Sequence, residues 1–289
     1  MSIKDNTYGI APLQQKMLDI LKYLISVCEE NNLTYWLGGG SCLGALRHEG
    51  FIPWDDDLDV YMPRDDYEKL WNLKKDIVDG HYKLVRTTKN KNYRHRVMQI
   101  VDVDTTFINK RCINDDIEHG VYIDILPIDA RAKSKIGRVL QAFNAMLFSV
   151  YNIQITPEFY GGGLQNTVIK LMLLLVKNPD RRFAIWTKAE KRMSKYAWDE
   201  SDDLIVLTSI LKELWWSRPK EWFGKRYVQF EDIIACIPSG AEQYCTQFYG
   251  DYMQLPPVEK RHPIHNTVFI DLDNPYVKYK GIHYCVDKH

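Results

Sequence analysis

The sequence predicts an α/β (α+β) protein: a sheet core with helices packed on it, continued by a helical segment. Three observations point there. A strand, a glycine turn, a short helix and a carboxylate-bearing strand follow one another from Leu33 to Val60. Residues 120–126 alternate strictly, with Val121, Ile123 and Ile125 facing one way and Tyr122, Asp124 and Leu126 the other, as a half-buried strand requires. From Arg131 the pattern changes to long apolar and basic segments at helical spacing.

Taken in order, Pro12 suits a helix first turn. Leu13, Met17, Ile20, Leu21, Leu24, Val27 and Cys28 then recur at helical spacing up to Asn31-Asn32. This helix packs on the sheet and is assigned no chemistry. Leu33–Leu37 reads as a strand entering the turn Gly38-Gly39-Gly40. Ser41 is the expected N-cap of the next helix, and Gly50 its stop. Asp65 or Asp66 caps a helix carrying Tyr67, Leu70 and Trp71 on one face. His81–Thr87 and Arg96–Asp104 read as strands joined by the polar turn at Lys89–Asn92. Asp102 and Asp104 imitate a metal pair, but no glycine turn precedes them, so they read as a strand end entering a loop. Asp129 reads as a loop residue.

The chemistry concentrates in Gly38-Gly-Gly-Ser-Cys-Leu-Gly-Ala-Leu-Arg-His-Glu-Gly-Phe-Ile-Pro-Trp-Asp-Asp-Asp-Leu-Asp-Val60. A glycine turn feeding a helix N-terminus presents bare N–H groups and a positive dipole end to a phosphate. Beyond Pro53 an extended chain puts Asp55, Asp57 and Asp59 on one side and anchors Leu58 and Val60 on the other. Carboxylates crowded on one face repel, and a hard divalent cation with phosphate oxygens resolves that repulsion. The plainer alternative is a solvated acidic turn. The flanking apolar residues and the preceding glycine turn favour the metal–phosphate reading. Asp124, a lone carboxylate among β-branched neighbours, is expensive to bury without a partner. His48, at a helix end, reads as a hydrogen-bonding strut.

These residues resemble the signature of the LicD family of phosphorylcholine transferases, relatives of the fukutin-type sugar-phosphate transferases. The resemblance continues at Gly120-Val-Tyr-Ile-Asp-Ile-Leu-Pro-Ile-Asp129 and at Tyr249-Gly-Asp-Tyr-Met-Gln-Leu-Pro-Pro-Val-Glu-Lys-Arg261. It implies a nucleotidyltransferase-like mixed-sheet core over residues 1–130, with residues 131–289 supplying a basic helical segment and a C-terminal portion covering the cleft of the same unit. It further implies that Asp57, Asp59 and Asp124 form the catalytic, metal-holding trio for one or two Mg²⁺. Gly39, Gly40 and Ser41 would cradle phosphate, with Lys260 or Arg261 near it. The reaction implied is transfer of phosphocholine from CDP-choline to a hydroxyl of a cell-surface glycan or teichoic-acid precursor, with CMP leaving. A transferase moving ethanolamine phosphate, ribitol phosphate or a nucleotidyl group, and a non-catalytic glycan- or nucleotide-binding module, stay open.

Composition sets outer bounds. Hydrophobic residues make up 45% and charged residues 26%, an ordinary globular balance. No charged n-region followed by an apolar core opens the sequence. The apolar run Val168–Val176 is interrupted by Lys170 and is too short to span a bilayer. The six cysteines show no metal-ligand spacing, so a cytoplasmic protein with reduced thiols is expected. Net charge is zero, yet between Arg131 and Lys195 twelve Lys/Arg face three Asp/Glu. That excess fits either an anionic membrane surface at the inner face of the cell membrane or a solvated basic face. No nucleic-acid partner is expected. The aromatic residues after position 214 are candidates to hold a quaternary ammonium by cation–π contact. Ile270-Asp-Leu-Asp273 repeats the Asp-x-Asp pattern without a glycine turn and is read as a decoy.

Overall fold

The computed structural model describes residues 6–75, 80–155, 163–209, 213–264 and 266–286. Thr156-Pro157 and most of the Gly161–Gly163 loop expected between helices lie outside them. The chain forms two compact units: Met1–Val85, Gln99–Pro127 and Arg218–His289 in the first, Arg86–Met98 and Ile128–Ser217 in the second. The two units interleave along the chain.

The first unit begins with α1 (Ala11–Glu30), whose Leu13, Met17, Ile20, Leu21 and Leu24 are buried at the predicted spacing. Then come β1 (Trp36–Leu37), α2 (Gly39–His48), β2 (Asp59–Pro63), α3 (Arg64–Asn72), β3 (Tyr82–Val85), β4 (Met98–Asp102), β5 (Thr106–Asn109) and β6 (Val121–Ala130). The sheet order β1-β2-β6-β4-β3 makes the two carboxylate-bearing strands, β2 and β6, immediate neighbours. β6 alternates buried and half-buried residues through Leu126, as its sequence requires. At the entry to β6 the backbone passes so close to β4 that a Cβ on Gly120 would lie 1.8 Å from the Asp102 carbonyl oxygen. Only glycine fits there.

Two boundaries differ from expectation. The cap of α3 is Pro63, and Asp65 and Asp66 lie inside its first turn; Asp66 Oδ2 accepts instead from the Thr34 N–H at 2.9 Å. β6 runs on through Pro127, so Asp129 is a strand residue, 1% exposed and paired with Ile205, rather than a loop residue.

The second unit holds α4 (Lys135–Ile153), α5 (Gly163–Leu175), α6 (Pro179–Met193) and the short β7 (Asp203–Ile205). Ala142, Ala145 and Phe148 of α4 pack with Trp186 and Met193 of α6 in its core. The chain then returns to the first unit with β8 (Arg218–Pro219), the hairpin β9 (Lys225–Phe230) and β10 (Ile233–Pro238), α7 (Ala241–Tyr249), and β11 (Thr267–Asp271), which pairs with β5.

Candidate active site

α2 starts three residues before the position expected. Gly38 is its N-cap, and the Cys42 N–H closes the first turn on the Gly38 carbonyl at 2.9 Å. Ser41 is therefore in the first turn, not the cap. Its Oγ accepts from the Asp59 N–H at 3.0 Å and fastens the helix to the start of β2. Gly39 has φ +47°, a left-handed conformation that side chains with a Cβ resist. Its N–H is given to Tyr244 Oη at 3.0 Å, and that phenol lies 3.0 Å from Tyr61 Oη. The N–H groups left to meet a phosphate at this helix end are those of Gly40 and Ser41.

The bare Cα atoms of the turn receive the carboxylates. Asp59 Oδ2 lies 2.5 Å from where a Cβ on Gly39 would stand, and Asp55 Oδ2 lies 2.5 Å from that of Gly40. Residues 55–60 alternate as expected: Asp55, Asp57 and Asp59 are half-buried, while Asp56, Leu58 and Val60 are buried. Burial, then the negative charge and hydrogen bond of Asp57, then Asp59, push the Asp55 carboxyl well above its ordinary range. Asp56 belongs to the other face and accepts from the Ile264 N–H at 3.2 Å. α1, given no chemistry from sequence, holds the approach to this cluster: buried Gln14 donates through Nε2 to the carbonyls of Ile52, at 3.0 Å, and Asp55, at 2.9 Å.

On β6 the Asp124 N–H donates to the Leu58 carbonyl at 2.9 Å, which fixes the register between the two acidic segments. Gln99 Nε2 donates to Asp124 Oδ1 at 2.7 Å. Tyr122 shares the face of Asp124. Its phenol is pushed up by burial, against the pull of Arg111, with Asp124 and Asp57 both adding to the rise. Tyr122 therefore feels carboxylates from both segments. Arg111 sits in a short turn whose backbone is held by Asn109, the side chain of which accepts from the Arg111 N–H at 3.1 Å. Although the residue as a whole is exposed, its guanidinium suffers desolvation, and that is outweighed by Tyr122, Cys112 and Asp124, so its pKa is raised.

From the C-terminal third, Tyr249 ends α7 beside the acidic cluster: although the residue as a whole is 38% exposed, desolvation of its phenol, then Tyr61, Asp55 and Asp59, push it well up. Arg261 comes to Trp54, with its guanidinium 5.6 Å from the ring centroid and its Nε donating to the Pro256 carbonyl at 2.8 Å. Lys260 is exposed at the end of the turn Val258–Lys260, and no described contact links it to the glycine turn. His48 Nε2 accepts from Arg47 Nε at 3.0 Å, the strut expected. Asp271 is occupied in its own turn, accepting from the N–H groups of Asp273 and Asn274 and from Tyr279.

The donor set Asp55, Asp57, Asp59 and Asp124 is all hard oxygen, the chemistry that suits Mg²⁺ rather than a softer metal, and its mutual repulsion is what a cation relieves. The fit is one of donor chemistry: among the described residues no three Asp, Glu, His or Cys side chains are arranged to hold a metal ion. Sequence reasoning missed Gln14, Gln99 and Arg111, and it reached Tyr244 and Tyr249 only as members of the aromatic set after position 214. Only Tyr249 lay within a quoted motif.

A glycine turn at a helix start, with carboxylates on two neighbouring strands, defines an α+β nucleotidyltransferase-like fold. Residues 32–146 match the model of the LicD/FKTN/FKRP nucleotidyltransferase domain. It is 29% identical over 259 residues to the lipopolysaccharide cholinephosphotransferase LicD of Haemophilus influenzae, covering 86% of this chain and 92% of that one. Human FKRP, a ribitol 5-phosphate transferase, is 47% identical over 53 residues, 18% of this chain and 11% of its own. Mouse FKTN, a ribitol-5-phosphate transferase, is 29% identical over 66 residues, 23% of this chain and 14% of its own.

Proposed function

We propose that this protein is a phosphotransferase that moves phosphocholine from CDP-choline to a hydroxyl of a cell-surface glycan or teichoic-acid precursor, releasing CMP. The observation that carries the reading is the seating of the Asp55 and Asp59 carboxylates directly on the bare Cα atoms of Gly40 and Gly39. It brings an acidic cluster and an anion-binding helix end together, as handling of a metal-bound diphosphate requires. The likeness to the Haemophilus influenzae cholinephosphotransferase, over nearly the whole of both chains, supports choline phosphate as the group moved.

Asp57 and Asp59 would hold Mg²⁺, with Asp124 completing the set. Bound there, Mg²⁺ supplies charge neutralisation at the diphosphate and lowers the pKa of a coordinated hydroxyl. The remaining work falls to the chain. Asp124, its Oδ1 fixed by Gln99, accepts the proton of the acceptor hydroxyl. The hydroxyl oxygen bonds to the distal phosphorus, beside choline, and the bond from that phosphorus to the bridging oxygen breaks, so CMP leaves. Arg111 and the N–H groups of Gly40 and Ser41 meet phosphoryl charge. Trp54, next to Asp55 in the chain, and Tyr249, beside the acidic cluster, are the rings assigned to shield the trimethylammonium.

Donor labelled separately in the cytidine and choline moieties tests this. The expected result is choline label in the glycan and cytidine label in free CMP, dependent on Mg²⁺. Cytidine label in the glycan would show nucleotidyl transfer and overturn the mechanism; CDP-ribitol used in preference to CDP-choline would overturn the donor.

A further inference from the structure

The second unit exposes apolar side chains where a solvated helix carries polar ones. On α4, Ile136, Val139, Leu140 and Phe143 are 76, 55, 53 and 50% exposed. Their spacing of three and four residues sets them in one stripe. The opposite side of the same helix is already used, with Ala142, Ala145 and Phe148 in the unit's core. α5 repeats the arrangement: Met172, Leu173 and Val176 pack inward, while Leu171, Leu174 and Leu175 are 55, 61 and 75% exposed. Two neighbouring helices of one unit are thus apolar on both sides.

The charges around these stripes say what covers them. From Lys133 to Lys177 the chain has five Lys/Arg and one Asp/Glu. Lys133 and Lys135 are exposed at the start of α4, as are Lys170 and Lys177 on and just after α5. A second copy of this chain would bring the same basic rim against itself. An anionic surface neutralises it. No helix among the described residues is long and apolar enough to cross a membrane, so the helices would lie along such a surface, not through it.

We infer that α4 and α5 form a docking face for an anionic lipid bilayer, with the exposed apolar residues entering the acyl boundary and the flanking lysines meeting lipid phosphates. The sequence left the basic charge of α6 open to the same role, but Arg182 of that helix is occupied: its guanidinium donates to the carbonyls of Val176, at 2.6 Å, and Leu173, at 2.8 Å, and to Gln154 Oε1 at 3.0 Å. It ties α5 to α6 and is not free to meet lipid.

Co-sedimentation of the full chain with phosphatidylglycerol–phosphatidylcholine vesicles, without donor or acceptor, tests the inference independently of the proposed transfer. Binding should exceed that to pure phosphatidylcholine vesicles at least about 10-fold and weaken as salt rises. Leu140→Glu with Phe143→Glu, and separately Leu171→Glu with Leu174→Glu, should each lower it about 10-fold or more while circular dichroism stays unchanged. Lys133→Glu with Lys135→Glu, which alters no apolar side chain, should lower binding to anionic vesicles alone. Failure of the wild-type chain to sediment with anionic vesicles would overturn the inference. So would equal binding to neutral vesicles, or a lipid-free dimer that the glutamate variants dissociate, since a second copy would then be the occupant.

Discussion

Gly39→Ala probes whether the approach of Asp59 to the glycine turn sets the rate. The new Cβ would stand 2.5 Å from Asp59 Oδ2, where ordinary contact begins at 3.4 Å. The carboxylate, the mobile end of its side chain, must retreat by about 0.9 Å, the difference between those distances. A misplacement of about 1 Å at reacting groups lowers turnover on the order of 100-fold, equivalent to about 2.7 kcal/mol of barrier. Alanine at φ +47° also adds about 1–2 kcal/mol of backbone strain. Gly281→Ala shares that strain without the displacement, since Gly281 has φ +77° and nothing within 4 Å of its would-be Cβ. The assay is the initial rate of CMP release from CDP-choline with Mg²⁺ and acceptor, well below both unfolding midpoints, with urea unfolding run in parallel. Both variants should lose comparable stability, and only Gly39→Ala should lose turnover. Wild-type turnover in Gly39→Ala, or an equal loss in Gly281→Ala, would show that the carboxylate contact does not govern the rate.

Three further outcomes are expected. Asp57→Asn, Asp59→Asn and Asp124→Asn should each abolish Mg²⁺-dependent CMP release with the fold intact by circular dichroism, whereas Asp271→Asn and Asp273→Asn should leave it unchanged. Arg111→Gln should reduce kcat about 100-fold, as loss of one donor to transition-state charge does; an unchanged kcat would remove Arg111 from the chemistry. His48 is held down to about 4, by burial and then by Arg47. The unfolded chain therefore takes up a proton there near pH 6.5 while the folded one does not, so this residue's contribution to stability is complete above about pH 6.5 and is lost on acidification toward about pH 4. His48→Gln should flatten that segment of the stability profile, measured as the difference between urea midpoints at about pH 7 and about pH 5.

What the sequence made legible follows from how local the signal is. Strand, glycine turn, helix and carboxylate strand lie within one short stretch, and burial alternates along residues 55–60 and 121–126 as side-chain polarity dictates. The start of α2 was misplaced because Gly38 caps through backbone geometry alone, while Ser41, the residue with a capping side chain, spends its oxygen on the Asp59 N–H. Asp129 was misread because Pro127 signals a strand end, whereas β6 passes through it. Arg111 carries no local mark: it lies in an unremarkable Lys-Arg-Cys turn, and its meaning comes from the carboxylate and phenol on a different strand. Gln14 and Gln99 are uncharged amides whose roles appear only once their partners are in place.

Tyr244 and its neighbours also set a timetable. The Gly39 N–H meets a phenol 205 residues further along, the Phe51 N–H a carboxylate 180 residues on, and the Asp56 carboxylate an N–H 208 residues on. Arg47 Nη1 likewise donates to the Tyr252 carbonyl, 205 residues away, at 2.6 Å. At ribosomal speeds of about 5–20 residues per second, the glycine turn waits roughly 10–40 s after its own synthesis for these partners to be made. Contacts so distant in sequence close late and slowly. For that interval the nascent chain holds the residues that give it its chemistry without the geometry to use them.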